Sequence, residues 1–211
     1  GTAIVYNLNT KESKVIQHSG WVRSAQFSPD GGSVVTASDD GTSIVYNLAT
    51  KESQRAQLSN GVIRSAQFSP DGNSIVTASD EGKVIVRNLK TNESQKIQHS
   101  GSVLTVQFSP DGNSVVTGSN DSTAIVYNLK TKELQKIQHS KWVNSAQFSP
   151  DGRSILTTSG VEPVRITSVI KTCANASLEV ASSKLAKDPQ LCVNCQATDD
   201  SLADQAQLLT E

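Results

Sequence analysis

Three histidines are the side chains of this 211-residue sequence best suited to metal binding or to acid–base chemistry. His18, His99 and His139 each lie in a Gln-His-Ser phrase, so they hold one repeated position instead of forming a cluster. The ligands of a metal ion, like the partners in a catalytic centre, must converge on one point. We therefore interpret these histidines as hydrogen-bonded loop anchors and not as catalytic residues.

Four aspartates also recur, each inside a Ser-Pro-Asp-Gly phrase: Asp30, Asp71, Asp111 and Asp151. A catalytic pair of carboxylates needs two different environments, which a repeated position does not provide. Proline and glycine at this spacing favour a tight turn, so we interpret the aspartates as turn residues. The sequence contains neither a phosphate-binding glycine loop nor a Gly-x-Ser-x-Gly elbow. It predicts no catalytic residue and no cofactor.

The cysteines offer a weaker signal. Cys192 and Cys195 form a lone C-x-x-C pair, and only Cys173 could join them, whereas a structural zinc site takes four ligands. We interpret the three cysteines as incidental thiols and predict no metal site, with metal or redox use as the alternative. Their odd number does not form a disulfide framework, which favours a reducing, cytoplasmic setting.

Composition excludes several other classes of protein. The net charge is −1 and 18% of the residues are charged, which gives no electrostatic footprint for nucleic acid. No apolar run reaches the roughly 18 residues that a membrane helix needs, and no secretory signal is present. We predict neither nucleic-acid nor membrane partners. Aromatic residues make up only 4%, which indicates several small cores, and the absence of methionine suggests a processed or partial chain.

Two phrases recur about every 40 residues and decide the architecture. One is Gln-Phe-Ser-Pro-Asp-Gly, which starts at Gln26, Gln67, Gln107 and Gln147. The other is Ile-Val-Tyr-Asn-Leu, with Arg for Tyr once, which starts at Ile4, Ile44, Ile85 and Ile125. Short β-branched runs between turn residues predict four strands in each unit. A sheet of four short strands is unstable alone. Neighbouring units must therefore bury each other's faces.

These phrases resemble the WD-repeat (Trp-Asp repeat) β-propeller family over residues 1–170, although Tyr-Asn or Arg-Asn replaces the Trp-Asp dipeptide. The resemblance implies an all-β fold, a β-propeller of four-stranded antiparallel blades. The chain then holds about four and a half blades: a half-blade at 2–17 and blades at about 21–57, 61–98, 102–138 and 142–170. Residues 171–211 form an acidic, mainly helical or irregular tail. Alternatively, residues 191–198 add a strand to the half-blade.

The resemblance also implies a buried network that joins a loop histidine to a Ser or Thr, a turn aspartate and the dipeptide aromatic ring. The matching positions are His18, Thr36, Asp40 and Tyr46 in the first blade and His99, Thr117, Asp121 and Tyr127 in the third, with His139 at the same position of the fourth. The second blade has Leu58, Glu81 and Arg87 there, and we expect it to be the least rigid blade.

The residues that differ between similar units indicate where a partner binds. They stand where each first strand begins and are Trp21, Arg23, Arg64, Leu104, Lys141, Trp142 and Asn144. In the family these positions lie on the face that binds partners, and Trp and Arg are the residue types of binding hot spots. The alternative is that Trp21 and Trp142 cap their blades. The one-residue insertion Asn60-Gly61 is expected to widen the same face.

The sequence therefore predicts a non-enzymatic scaffold that presents a propeller face to a peptide or protein partner. Two alternatives stay open. One is a hydrolase or lactonase-like propeller enzyme, against which the near-identity of the repeats argues, since each blade supplies the same residue to the centre. The other is a structural repeat array that assembles with itself, including a homo-oligomer that closes the propeller.

Overall fold

The computed structural model describes residues 1–160 and 165–168. Within these residues the chain is all-β, and every paired strand is antiparallel to its neighbour. The strands form five sheets in chain order. This architecture confirms the predicted β-propeller fold with four-stranded blades, whereas the predicted tail at 171–211, its alternative strand and the three cysteines lie outside the described residues.

The sheets follow the predicted repeats closely. The half-blade consists of β1 (Thr2–Tyr6) and β2 (Ser13–Gln17). Blade 1 consists of β3 (Val22–Phe27), β4 (Ser33–Ser38), β5 (Thr42–Asn47) and β6 (Ser53–Gln57). Blade 2 consists of β7 (Ile63–Phe68), β8 (Ser74–Ser79), β9 (Lys83–Asn88) and β10 (Ser94–Gln98). Blade 3 consists of β11 (Val103–Phe108), β12 (Ser114–Ser119), β13 (Thr123–Asn128) and β14 (Leu134–Gln138). Blade 4 has three described strands: β15 (Val143–Phe148), β16 (Ser154–Ser159) and β17 (Arg165–Ser168).

The turn between the first two strands of a blade is built by its own side chains. In blade 1, the Ser28 hydroxyl donates to Asp30 at 2.5 Å and accepts the Ser33 amide at 2.8 Å. Gly31 has φ of 72°, a left-handed conformation that glycine adopts without strain. These contacts explain why Ser, Asp and Gly recur together in every blade, and they agree with the interpretation of the four aspartates as turn residues.

The asparagine of each Tyr-Asn or Arg-Asn dipeptide holds the turn between the third and fourth strands. The side-chain oxygen of Asn7 accepts the amides of Asn9 and Thr10 at 2.9 and 3.0 Å. Lys11 then turns the chain with φ of 60°. The same two hydrogen bonds recur at Asn47, Asn88 and Asn128. The asparagine therefore stabilises this turn whether Tyr or Arg precedes it.

The hydrophobic core lies between blades. Val35 and Ala37 on the second strand of blade 1 pack against Ile63, Ala66 and Phe68 on the first strand of blade 2. Related clusters join blade 2 to blade 3 and blade 3 to blade 4. Side-chain hydrogen bonds also cross these junctions, since the Phe68 amide donates to Gln26 at 3.2 Å and the Phe148 amide donates to Gln107 at 2.8 Å.

The half-blade and the adjoining face of blade 1 break this pattern of burial. Ile4 of β1 is 64% exposed, whereas its equivalent Ile44 is 4% exposed. Phe27 of β3 is 55% exposed, whereas its equivalent Phe68 is 8% exposed. Ile4 and Phe27 line one open groove together with Ala3, Val5, Tyr6, Ala25, Gln26 and Val34. Ile4 and Phe27 therefore face outward, although their apolar equivalents are buried: Ile44, Ile85, Ile125, Phe68, Phe108 and Phe148.

Candidate functional site

One edge of each blade carries the start of its first strand and the turn between its second and third strands. In blade 1 these two segments are joined by a hydrogen bond from the Asp39 amide to the Trp21 carbonyl, at 2.9 Å. The equivalent bonds link Asp80 to Val62 and Asn120 to Ser102. We call this edge, which bears Trp21 in blade 1 and its equivalents in the other blades, the loop face.

A β-bulge aims a variable side chain onto the loop face in every blade. The register between the first and second strands of blade 1 shifts between Val22 and Ser24, which leaves Arg23 outside the regular pairing. The same shift occurs in the other three blades, around Arg64, Leu104 and Asn144. Bulges commonly re-aim a side chain near a functional site. This explains how near-identical blades present Arg, Leu or Asn at one equivalent place.

Trp21, Arg23 and Asp39 form a fixed cluster on the loop face of blade 1. The Arg23 guanidinium makes two hydrogen bonds to the Asp39 carboxylate, at 2.6 and 2.7 Å. The same guanidinium lies 5.4 Å from the centre of the Trp21 ring, within the range of a cation–π contact. Trp21 nevertheless stays 71% exposed. The cluster thus presents a pre-oriented indole at little cost in side-chain entropy.

The charge of Arg64 on blade 2 also acts on this cluster. The hydrogen bond from Arg23 lowers the pKa of Asp39, and the positive charge of Arg64 lowers it further. Arg64 in turn donates to the Ser102 hydroxyl of blade 3 at 3.0 Å. Trp21, Arg23, Asp39, Arg64 and Ser102 therefore form one strip across three blades, which we call the Trp21 strip.

A buried serine stabilises the inserted loop residues of blade 2. Ser59 is buried, and its hydroxyl donates to Glu81 at 2.9 Å and accepts the Gly61 amide at 3.1 Å. A Cβ added to Gly61 would lie 2.6 Å from the Asp80 carboxylate, so a larger residue there would require the Asp80 side chain to shift. The expectation that the insertion widens the loop face stays a prediction.

The other predicted binding residues lie apart from the Trp21 strip. Trp142 is 60% exposed on blade 4, and Lys141 and Asn144 beside it are also exposed. Leu104 on blade 3 is half-buried. Lys141 stands where the other blades carry Gly20, Gly61 and Gly101. The structure thus gathers Trp21, Arg23 and Arg64 into one strip and places Trp142 three blades further along the chain.

Sequence reasoning did not include Asp39 or Ser102 among the binding residues. Both belong to the strip because of contacts across strands and across blades, at residue separations of 16 and 38. The only signal in the sequence was that Asp39 stands directly before the turn residue Asp40, opposite the variable position 23. The bulge that turns Arg23 toward Asp39 has no signature in a single sequence.

The loop histidines form buried hydrogen-bonded networks in blades 1 and 3. His18 Nε2 lies 2.7 Å from the Thr36 hydroxyl, and His18 Nδ1 lies 3.1 Å from Asp40 Oδ2 and from the Thr42 hydroxyl. His99 repeats this arrangement with Thr117, Asp121 and Thr123 at 2.7, 3.0 and 3.1 Å. Nothing in this geometry leaves the histidines open to a ligand, since both rings are buried.

The two tyrosines expected in these networks lie elsewhere, and threonines take their place. Tyr46 packs against the apolar cluster of Ile16, Val34 and Ile44, and Tyr127 packs against the cluster between blades 2 and 3. The Thr42 hydroxyl, one turn residue away from Asp40, donates to that carboxylate at 2.6 Å. A short hydroxyl on the third strand can reach both Asp and His, whereas the tyrosine ring is held by its apolar neighbours.

Burial and hydrogen bonding shift the pKa values within these networks. Burial lowers the pKa of His18 and of His99, so both rings are held neutral near pH 7. Burial alone would raise the pKa of Asp121, but hydrogen bonds from Thr123 and Ser100 lower it to about 2. The pKa of Asp40 is likewise held below its usual range, against burial, by Thr42 and Ser19. The result is a charged aspartate beside a neutral histidine.

Blades 2 and 4 differ at the same positions. In blade 2, Glu81 binds the Ser59 hydroxyl and the Lys83 ammonium at 2.9 and 2.7 Å, and the Arg87 guanidinium donates to Asn92. Leu58 packs instead on the cluster between blades 1 and 2. In blade 4, His139 lies 3.1 Å from the Thr157 hydroxyl. Whether blade 2 is the least rigid stays a prediction.

Within residues 1–160 and 165–168, no three His, Cys, Asp or Glu side chains come together as metal ligands. The same residues include no helix with the length and hydrophobicity needed to cross a membrane. The site that the structure offers is the Trp21 strip, an aromatic and cationic surface suited to binding.

Residues 6–159 match the family described as the NUP159/214 beta propeller. A comparison with curated proteins gives no match.

Proposed function

We propose that this chain, which belongs to the NUP159/214 beta-propeller family, is a non-enzymatic interaction module that binds a peptide or protein partner on its loop face. The family supports a role in protein interaction, because a propeller offers a rigid frame on which variable loop residues are displayed. The loop face of this chain varies from blade to blade, whereas its Ser-Pro-Asp-Gly turns do not.

The observation that carries this proposal is the exposed Trp21 held beside Arg23 by Asp39. A large aromatic side chain that is exposed in a monomer marks an interaction site when its neighbours fix its position. The 71% exposure of Trp21 supports binding over a role as a blade cap, because a capping ring would be largely buried. The ring and the guanidinium offer an apolar surface with a cationic rim, which suits an apolar side chain flanked by polar or acidic groups.

The experiment uses a displayed library of random peptides selected on the full chain. The dissociation constants of the selected peptides are then measured for the unmodified chain and for W21A, W142A and the double variant. We expect W21A to weaken binding roughly thirtyfold, the loss of about 2 kcal/mol that marks a hot spot. Circular dichroism should stay unchanged, because the ring buries little surface in the fold.

The matched control is L134A, since Leu134 is an exposed apolar residue on the outermost strand of blade 3. Its removal should leave the dissociation constants unchanged. Unchanged binding by W21A and W142A would contradict the proposal. Loss of the β-sheet spectrum in both variants would instead favour the capping role.

We further propose that the chain is a propeller of the WD-repeat kind. The support is the network of His18, Thr36 and Asp40, repeated by His99, Thr117 and Asp121, which follows the positions that the family resemblance implies. The hydroxyls of Thr42 and Thr123 contact the histidines, in the role that the family resemblance gives to the tryptophan.

We also propose that the chain acts in the cytoplasm, which rests on its cysteine content alone. Microscopy of a fluorescently tagged chain tests this. A signal at the nuclear rim, as a nucleoporin-type propeller would suggest, would contradict it.

A further inference from the structure

The loop before the first strand of blade 2 holds the single Asn-Gly dipeptide of this sequence, at Asn60 and Gly61. Such a pair can react within itself, because the backbone nitrogen of the glycine can attack the side-chain carbonyl carbon of the asparagine and close a five-membered ring. Glycine favours the attack, since it has no Cβ to hinder the approach and its backbone is conformationally permissive. Asn60 is exposed, which also admits water. The loop therefore holds both reactants of an intramolecular reaction.

The attacking nitrogen begins a chain of hydrogen bonds that ends on a carboxylate. The Gly61 amide donates to the Ser59 hydroxyl at 3.1 Å, and that hydroxyl donates to Glu81 Oε2 at 2.9 Å. Both bonds point the same way, from the amide toward the carboxylate. Ser59 is only 4% exposed, which limits competition from water for its hydroxyl. The amide proton can therefore pass to Ser59 while the hydroxyl proton of Ser59 passes to Glu81.

Glu81 is held in the charged form that accepts a proton. Hydrogen bonds from Lys83 and Ser59 lower the pKa of its carboxyl group, and the Lys83 ammonium lies 2.7 Å from Oε2. A general base has to be ionised at the working pH and has to lie within hydrogen-bond reach of the proton that it removes. Glu81 is ionised at neutral pH and reaches the amide proton of Gly61 through Ser59.

The other blades lack this combination at the equivalent position. Ser19 and Ser100 correspond to Ser59, but glycine follows each of them directly, with no asparagine between. Their hydroxyls donate to Asp40 at 3.1 Å and to Asp121 at 3.3 Å. The asparagine and the longer carboxylate side chain thus occur together in blade 2, and blade 1 offers a matched control for the hydroxyl.

We propose that Asn60 is a site of self-catalysed deamidation, in which Gly61 N attacks Asn60 Cγ while Ser59 and Glu81 take up the amide proton. A bond forms between Gly61 N and Asn60 Cγ, and the bond from Cγ to Nδ2 breaks. The leaving nitrogen takes a proton from water and departs as ammonia, and Glu81 returns its proton to water. A water molecule then opens the succinimide ring at one of its two carbonyl carbons. The products are aspartate and isoaspartate at position 60.

The reaction changes the charge and the shape of the loop face. The formal net charge of the chain is −1, and each conversion adds one negative charge. The new carboxylate precedes Gly61, which packs so closely on Asp80 that an added Cβ would lie 2.6 Å from its carboxylate. Isoaspartate also lengthens the backbone by one methylene group. The modified chain therefore presents a more acidic loop in blade 2, whether or not the loop face binds a partner.

Incubation of the full chain at neutral pH tests the proposal. Peptide mass spectrometry follows the exchange of the side-chain NH2 group for OH at residue 60, and ion exchange separates the more acidic product. We expect conversion at Asn60 and none over the same period at Asn92, which is also exposed but precedes Glu93. An unconverted Asn60, or equal conversion at the two asparagines, would overturn the proposal.

The variant S59A tests the role of the hydroxyl. We expect conversion at Asn60 to slow at least tenfold, against the roughly 100- to 10,000-fold that a positioned base typically contributes. S59T keeps the hydroxyl and should keep the rate. S19A removes the equivalent hydroxyl of blade 1 and should leave the rate unchanged. A purely structural role predicts the opposite sign, because a loop that has lost a buried hydrogen bond moves more freely and reacts faster. An equal or faster rate in S59A would refute the relay.

The variant E81Q separates the charge of Glu81 from its hydrogen bond. A glutamine side-chain oxygen can still accept from the Ser59 hydroxyl, but it does not take up a proton at neutral pH. We expect E81Q to slow conversion as much as S59A does, and the double variant to be no slower than either. An unchanged rate in E81Q would show that the carboxylate takes no proton.

Discussion

Thr105 and Gly118 are directly opposite each other on β11 and β12, and a Cβ added to Gly118 would lie 2.9 Å from the Thr105 methyl group. The same position holds Ser24 opposite Ala37 in blade 1 and Ser65 opposite Ala78 in blade 2. Compared with blades 1 and 2, blade 3 has one more methyl group on its first strand and one fewer on its second. The side-chain volume between the two strands is therefore nearly the same.

We predict that G118A destabilises the chain by about 1–3 kcal/mol, because the added methyl overpacks against Thr105 and Val143. T105S alone should cost less, and G118A with T105S should recover much of the loss, since it restores the pair of blades 1 and 2. Urea unfolding of the four chains gives the coupling energy. If the effects of G118A and T105S on the free energy of unfolding simply add, the side chains at 105 and 118 do not compete for the same space.

Replacing a network histidine should cost more stability than replacing its exposed neighbour. H99L removes the partner of both Thr117 and Asp121, which are buried in blade 3. We expect a loss of about 2–3 kcal/mol in the free energy of unfolding, because Thr117 and Asp121 each lose one buried hydrogen bond. S100A is the control, since it removes only the exposed contact of the Ser100 hydroxyl to Asp121 at 3.3 Å and keeps the amide hydrogen bond. Equal losses in the two variants would refute the network as a source of stability.

The free energy of unfolding should decrease in two stages as the pH is lowered. Burial lowers the pKa of His18 and His99 from 6.5 in the folded chain, so the unfolded chain binds more protons once the pH falls below about 6.5. Their contribution is complete above that pH and is lost as the pH falls through the lowered values. The contribution of Asp121 is complete above 3.8 and is lost as the pH falls toward its folded pKa of about 2.

Urea unfolding at several pH values measures these two stages. The variant H18L/H99L should lose the first stage and keep the second, because its aspartates remain. A first stage of the same size in that variant would show that other groups cause it.

The contact between Arg23 and Trp21 should protect the indole from solvent. In a W142F background, D39N removes the carboxylate that fixes Arg23, so acrylamide should quench Trp21 fluorescence more strongly. In a W21F background, D39N should leave the quenching of Trp142 unchanged, since Trp142 lies on blade 4. Equal quenching with and without D39N in the first background would mean that Asp39 does not order the cluster.

The sequence predicted most of the fold because each blade depends on short-range chemistry. Ser28, Asp30 and Gly31 close a turn by themselves, and β-branched runs between such turns form strands. The candidate site depended on longer-range geometry. Arg23 and Asp39 meet only because a bulge turns one side chain out of the sheet. Thr42 replaces Tyr46 beside His18 because the tyrosine ring has apolar neighbours that the sequence does not identify.

The hydrogen bonds from Phe68 to Gln26 and from Phe148 to Gln107 have a mechanical consequence. Each fastens one blade to the blade before it, so no such bond spans more than one junction. When the two ends of the described region are pulled apart, the load passes through the junctions in series. The blades should detach one after another, each releasing about 40 residues, or roughly 140 Å of extended chain. Under tension, this protein would lengthen in steps and act as a graded extensible element.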